Sequence, residues 1–396
     1  MDLSRRTIAF VNLAHALDHF LLLIYPTAVL VIALERGLSY AELIGLATGA
    51  FVAFGFFSLP VGWVADRVGR RNLLAAFFLG GGAACLLVAA SSTPLAWALS
   101  LFVLGVFTAI YHPVGSAMIV SHSQRLGRDL GINAVWGNCG AAFAAGVTGV
   151  LAAWLGWRWA FIVPGLVCLA AGAAFLVLVR GDGDTVTKAR KATTAQVSFA
   201  SPVILASLFC ITFVAGGITF NIATVALPKA IDERLGIALP IALVGGLATA
   251  VFLLGAATQL AVGRLIDRVP IARLFATVAF FQPFGLALAA LTTGVPMLVG
   301  LALAMAAIYG QVVINDAMVA RYVPGRYQAK AFGIRYFLGF TTSGFAVPAI
   351  AWLHALDGFP AVFLAAASAG LMVFAAALLF VALPASPPAA LRAPPA

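Results

Sequence analysis

Charge is what this chain has least of. Charged residues make up 9% of the sequence and only 13 are acidic, against roughly 25% charged in an ordinary soluble domain. With 63% hydrophobic residues and a mean hydropathy of +1.08, a water-soluble globule is excluded, and lipid must be the main solvent. The charge-free runs are too long for barrel strands and long enough for helices, which need about 20 apolar residues to cross a bilayer. Cysteine is scarce too: Cys85, Cys139, Cys168 and Cys210 all fall inside apolar runs. That placement excludes a disulfide framework, and no metal-ligand spacing is evident, so they read as small packing residues. A GxxxxGK[ST] phosphate loop is missing, which removes ATP hydrolysis as an energy source. No Ser/His/Asp or zinc-like spacing argues for catalysis, and the sequence implies no cofactor. The formal net charge of +10 would suggest nucleic acid in a soluble protein; here its placement matters more than its sum, and no nucleic-acid partner is expected.

What is present is a series of apolar runs separated by Gly, Pro and charge clusters. They predict an all-α membrane protein of twelve spans at 7–34, 40–61, 72–92, 95–121, 129–153, 158–179, 201–228, 239–262, 273–293, 296–320, 329–353 and 358–383. Arg5 and Arg6 ahead of the first run imitate a signal peptide, but that run continues to Leu34, carries Asp18 and offers no persuasive cleavage site, so an uncleaved first span is expected. With the N-terminus inside, 18 of the 23 basic residues fall on the cytoplasmic side and four outside, with Arg335 left within a span. The positive-inside rule then places both termini in the cytoplasm. Trp154, Trp157 and Trp159 cluster at an outer turn and are expected at the lipid interface. The one long polar interval, 181–200, reads as a cytoplasmic linker between bundles at 1–180 and 201–384, with 385–396 as a tail.

The two halves repeat. Gly62-Trp63-Val64-Ala65-Asp66-Arg67 is answered by Gly263-Arg264-Leu265-Ile266-Asp267-Arg268, Tyr25-Pro26 by Leu227-Pro228, and Tyr111 with Ala117-Met118 by Tyr309 with Ala317-Met318. Six spans per half is an even number, so the halves are parallel repeats about an axis along the membrane normal. The stretch Gly62–Arg71 resembles the GxxxDRxGRR signature between helices two and three of the major facilitator superfamily, and Gly156-Trp157-Arg158-Trp159-Ala160-Phe161 resembles that family's start of helix six. Within the superfamily, His15-Ala16-Leu17-Asp18-His19 with Tyr25-Pro26, and Tyr111-His112-Pro113, are similar to helices one and four of the fosmidomycin-resistance type of drug exporter. The resemblance implies two pseudo-symmetric six-helix bundles and a latch, made by Gly62, Asp66, Arg67, Arg71, Gly263, Asp267 and Arg268, that holds one of two global states. The alternative is a static positive-inside loop. Gly137, Gly140, Gly146 and Gly149 loosely resemble the family's glycine-rich antiporter motif on helix five, with close packing as an equal reading.

Of the acidic residues only Asp18 and Asp316 lie well inside spans, Glu42 and Asp129 standing at span ends. An ionised carboxylate there costs at least about 2.5–3.5 kcal/mol on insertion scales, so each must be paired, protonated or facing water. Carboxyl and imidazole groups sharing a desolvated interior are the side chains suited to exchanging protons near neutral pH. Asp18, His19 and His112 are therefore the expected proton site. The competing readings are interhelical hydrogen bonding for the histidines and packing for Asp18; His15 reads as a structural polar residue. Arg335 is expected to pair with Asp316, either as a structural ion pair or as an anion site released during the cycle. Asn221 and Asn133 occupy the repeat positions of His19 and Arg335, and Tyr25, Tyr111, Asn138, Gln311 and Asn315 add hydrogen-bonding groups for substrate or for helix packing. Gln259 and Gln282 read as structural. Together these predict a monomeric, proton-coupled secondary transporter of the inner membrane exporting a small drug or metabolite, anions among the candidates, by alternating access. The alternatives are an importer of an organic anion or, in a different class, a membrane sensor or enzyme.

Overall fold

The computed structural model describes residues 3–124, 126–180, 198–199, 201–266, 268–323, 325–383 and 385–386. Most of the proposed linker and tail, and Asp267, lie outside the described residues. The helices are α1 (Leu3–Arg36), α2 (Tyr40–Leu46), α3 (Thr48–Val68), α4 (Arg70–Ala90), α5 (Pro94–Thr108), α6 (Tyr111–His122), α7 (Leu126–Leu155), α8 (Trp159–Leu178), α9 (Pro202–Arg234), α10 (Ile241–Leu265), α11 (Ile271–Leu291), α12 (Gly294–Tyr322) and α13 (Gly325–Ala382). Two residue pairs, Ser198 with Ser386 and Phe199 with Ala385, form a short antiparallel ladder that the hydropathy pattern did not announce.

Among the described residues, eleven stretches are long and apolar enough to cross a membrane. The last of these, within α13, is interrupted at Asp357 (φ −150°, ψ 25°) and Gly358 (φ 64°, ψ −155°). Gly358 takes a left-handed conformation that a side chain would resist, and the interruption divides the stretch into two crossings, giving twelve. The second and fourth spans are each built from two helices in succession, α2–α3 and α5–α6. Pro113 explains the latter: it has no N–H for the carbonyl of Ala109 and its ring crowds that carbonyl. The Ile110 N–H turns to Phe107 O at 3.2 Å instead, and the chain enters α6 from a bent turn. Many large apolar side chains are exposed, such as Phe56, Leu95, Val203 and Phe345, as expected of lipid-facing surfaces.

The contacts divide the chain into two compact units. The first holds α1 to α8 together with Val225–Leu253 and Ser343–Gly358; the second holds α9 up to Thr224, Leu254–Thr342 and the helix from Phe359. In the first unit α7 meets the start of α10 through small residues. Gly245 lies against the Ala145 backbone, Gly149 against Ile241, and Thr249 Oγ1 donates to Ala142 O at 2.7 Å while accepting from Gly146 N at 3.1 Å. Close backbone approach of this kind is how helices associate where lipid offers no hydrophobic drive. Ser343 Oγ donates to Phe51 O at 3.2 Å, and His354 Nε2 lies 3.0 Å from Glu233 Oε2. Trp154 and Trp159 are exposed, as their interfacial reading requires, but Trp157 is buried and its Nε1 donates to Glu35 Oε2 at 2.9 Å. An indole N–H and a carboxylate satisfying each other inside the protein outweigh the interface. Cys85 and Cys168 are buried, Cys210 is exposed, and all four thiols are free.

Candidate functional site

In the first unit, Asn12, His15 and His19 follow one another on α1 at spacings of three and four, which places them on one face. The bent turn before α6 presents Tyr111 and His112 to that face. His15 stacks on Tyr111 with ring centroids 4.7 Å apart, and its ring lies 5.0 Å from His19 and 5.3 Å from His112; His19 and His112 are also 5.3 Å apart. His15 Nδ1 lies 2.8 Å from Asn133 O. A carbonyl only accepts, so Nδ1 carries the proton and His15 Nε2 offers a lone pair, toward which His19 Nε2 donates across 3.2 Å. Room for this comes from α7. A Cβ on Gly137 would stand 2.5 Å from His15 Nε2, and one on Gly140 would overlap the Ala16 carbonyl.

Asp18 is fully buried. Its Oδ2 lies 3.3 Å from His112 Nε2, yet neither oxygen accepts an aligned hydrogen bond from the described residues. A carboxylate in that setting is stable as the neutral acid or opposite a protonated His112, and movement of a proton links the two. The proton-site residues read from the sequence are thus brought together. His15, read there as merely structural, stands at the centre of the cluster.

A polar chain leads away from it. Tyr111 Oη and the Asn133 amide are hydrogen bonded at 2.9–3.0 Å, and Asn133 Nδ2 donates to Asn12 Oδ1 at 3.0 Å. Asn12 in turn lines a cavity of about 540 Å³ at the beginning of α1, walled also by Arg5, His122, Arg128 and Asp129. Asp129 accepts from Ser123 Oγ at 2.6 Å and lies 3.5 Å from Arg128 Nε. Asn138 is half-buried on α7. Tyr25 is not part of it: its hydroxyl donates to Leu43 O at 2.8 Å and ties α1 to α2.

The second unit carries a buried amide pair and an ion pair. Gln282 Nε2 donates to Gln311 Oε1, and Thr219 Oγ1 lies 3.5 Å from Gln282 Oε1. Gln282, read as structural from the sequence, is fully buried in this pairing. Asn221 Nδ2 donates to Gly217 O at 2.8 Å and reaches Thr342 Oγ1 at 3.4 Å. Phe220 and Gly310 stand at the repeat positions of Asp18 and His112. Arg335 Nη1 donates to Asp316 Oδ1 and Nη2 to Val312 O at 3.0 Å, so the expected ion pair is present.

In the loop motif, Arg71 donates through Nη2 to Leu176 O at 2.9 Å and through Nε to Val179 O. It thereby satisfies carbonyls at the end of α8 that have no intrahelical partner. Arg67 sits over Trp63, 3.3 Å from the ring centroid. Asp66 belongs to α3, but its side chain is outside the described residues, as is all of Asp267. No described atom lies within 4 Å of a Cβ placed on Gly62, and Gly263 meets only Val313 at 4.0 Å. Arg268 is exposed.

Twelve apolar crossings in two sequence-related halves, with polar and titratable groups buried inside them, define a multi-pass membrane transporter. The profile of the Major Facilitator Superfamily matches residues 8–310 and, a second time, 208–396, and the chain belongs to that superfamily. The family makes it a secondary transporter rather than an enzyme. Its fold is similar to a bacterial homologue of the human lysosomal transporter Spinster in an inward-facing, unoccupied conformation, with a TM-score of 0.80 and 12% identity over 96% of this chain and 98% of that one. The occupied inward-facing form of that homologue gives a TM-score of 0.76 at 12% identity, over 96% and 97% of the two chains. No curated protein sequence matches the chain closely enough to count as a relative.

Proposed function

We propose that the protein is a proton-coupled exporter of small anionic molecules, working as a monomer in the inner membrane with both termini cytoplasmic. The observation that carries this reading is the buried Asp18 carboxyl, 3.3 Å from His112 Nε2 and without an aligned hydrogen bond, inside a cluster that Asn133 and Asn12 join to a cavity. Asp18, His19 and His112 take up and release the proton, and His15 holds His19 in place. Tyr111, Asn133 and Asn138 in the first half, with Asn221, Gln311, Asp316 and Arg335 in the second, supply the substrate's polar contacts; Tyr25 positions α1. The carboxyl–imidazole cluster on one repeat, against Phe220, Asn221 and Gly310 at the corresponding positions of the other, supports a division of labour between halves at 1–180 and 201–384 that rock about the 181–200 linker. The cavity's Arg5 and Arg128 lie on the side that the basic residues mark as cytoplasmic, which favours loading from inside and a drug-exporter role like the fosmidomycin-resistance type. Asp66, with Gly62, Arg67 and Arg71 and their repeat counterparts Gly263, Asp267 and Arg268, latches the state in which the cytoplasmic side is closed. Open space over Gly62 fits an unlatched loop.

Reconstituted vesicles test this reading. With a panel of anions that includes phosphonates, a proton gradient directed toward the cytoplasmic face should drive substrate the opposite way, from the cytoplasmic cavity to the other face, and dissipating the gradient should stop accumulation. Substrate moving in the same direction as the proton would instead identify an importer.

A further inference from the structure

We propose that His15, His19 and His112 form a binding site for one divalent first-row transition-metal ion, of the zinc, nickel or cobalt kind. The inference goes beyond the transport reading: the ion and the coupled proton compete for the same imidazole nitrogens, and ion binding is measurable without transport. The three rings form a nearly equilateral triangle, with centroid separations of 5.0, 5.3 and 5.3 Å, and one ligand nitrogen from each lies within 4.8 Å of the other two. His15 Nε2 and His19 Nε2 are 3.2 Å apart. Two nitrogens bound tetrahedrally at about 2.0–2.1 Å from zinc stand about 3.3 Å from one another, so this pair is already spaced for an ion, and the third imidazole has only to turn inward.

The surroundings are those that metal-bound histidines require. A ligating imidazole commonly gives its other ring N–H to a carbonyl or carboxylate, which fixes the tautomer. His15 does so through Nδ1 to Asn133 O at 2.8 Å, leaving Nε2 directed at His19. Asp18 lies 3.3 Å from His112 and supplies negative charge. Both its oxygens are buried and accept no hydrogen bond from the described residues, and a cation in the triangle gives that carboxyl a counter-charge. Three imidazoles favour zinc, nickel, copper or cobalt over magnesium or calcium, which take oxygen ligands. The α1 pair has the i, i+4 spacing that places two histidines on one helix face; the third comes from α6, which is why no spacing in the sequence disclosed the site.

The test is equilibrium binding of cobalt and zinc to the purified full-length chain in lipid nanodiscs, with no gradient imposed. Cobalt should bind saturably, one ion per chain, with the intense visible absorption of a tetrahedral site, and zinc should displace it. His15→Gln, His19→Gln and His112→Gln should each weaken binding by at least about tenfold, since even loss of an outer-shell partner costs 10–100-fold. His122→Gln and His354→Gln should leave it unchanged. X-ray absorption on the zinc-loaded wild-type protein needs no variant to fold, and should count three imidazole ligands. Absence of saturable binding, fewer than three imidazoles, or affinity unmoved by the three substitutions would overturn the proposal.

Discussion

Replacing Arg335 and Asp316 singly and together separates an ion pair that stabilises the helices from one that binds substrate. Arg335 is 8% exposed, so Asp316→Asn leaves a guanidinium in a nearly dry site without that carboxylate. Breaking a fully buried pair costs about 3–5 kcal/mol, and an exposed one about 0–1 kcal/mol. The Asp316 side chain is 39% exposed, which places this pair between the limits, at about 1–3 kcal/mol for either single change. Arg335→Gln with Asp316→Asn should then recover most of that loss, with a coupling energy of about 1–3 kcal/mol in reversible unfolding from detergent. Substrate affinity in the folded double variant decides the second question. If Arg335 holds an anionic group, binding fails although folding is restored, and Arg335→Lys alone weakens it by losing the planar fork. Near-normal affinity in the double variant would refute the anion site, and single variants as stable as the parent would refute the structural pair as well.

Gly140→Ala should lower unfolding stability by about 1–3 kcal/mol, because its Cβ would meet the backbone of Ala16 and no rotamer change can relieve it; Gly62→Ala, with no described atom within 4 Å, should change stability by less than about 0.5 kcal/mol. Tyr25→Phe removes the bond to Leu43 O and should cost about 0.5–1.5 kcal/mol in thermal unfolding while leaving substrate affinity intact; a selective loss of affinity would make Tyr25 a substrate contact. Asp66→Asn should increase cytoplasmic thiol labelling of a cysteine placed at Ser4 in the cavity, since it removes an interaction made in one global state only; unchanged labelling would favour a static loop.

The crossings were legible in the sequence because lipid demands long apolar runs and the chain pays for each buried charge. The repeat was legible because both halves kept their loop residues. Less visible was how the helices bend: the fourth span, read as one run at 95–121, breaks ahead of Pro113 and so turns His112 and Tyr111 toward α1. The place of His15 in the cluster did have a signal, in its four-residue spacing from His19 and three from Asn12. The Gln282–Gln311 pair needed the partner helix to be seen, since a lone buried amide reads equally as packing. Arg5 and Arg128 were absorbed into the positive-inside count, where their second role, as cavity walls formed by distant segments, has no sequence signature. Trp157 went astray for a related reason, because its carboxylate partner, Glu35, lies on another helix.

Central to this view is that Asp18 carries the coupled proton, and vesicle transport by Asp18→Asn measures it most directly. A carboxamide cannot cycle a proton, so pH-gradient-driven accumulation should fall to the level of protein-free vesicles, while exchange of labelled for unlabelled substrate without a gradient continues. Uphill transport at the parent rate in that variant would contradict the assignment of the proton to Asp18.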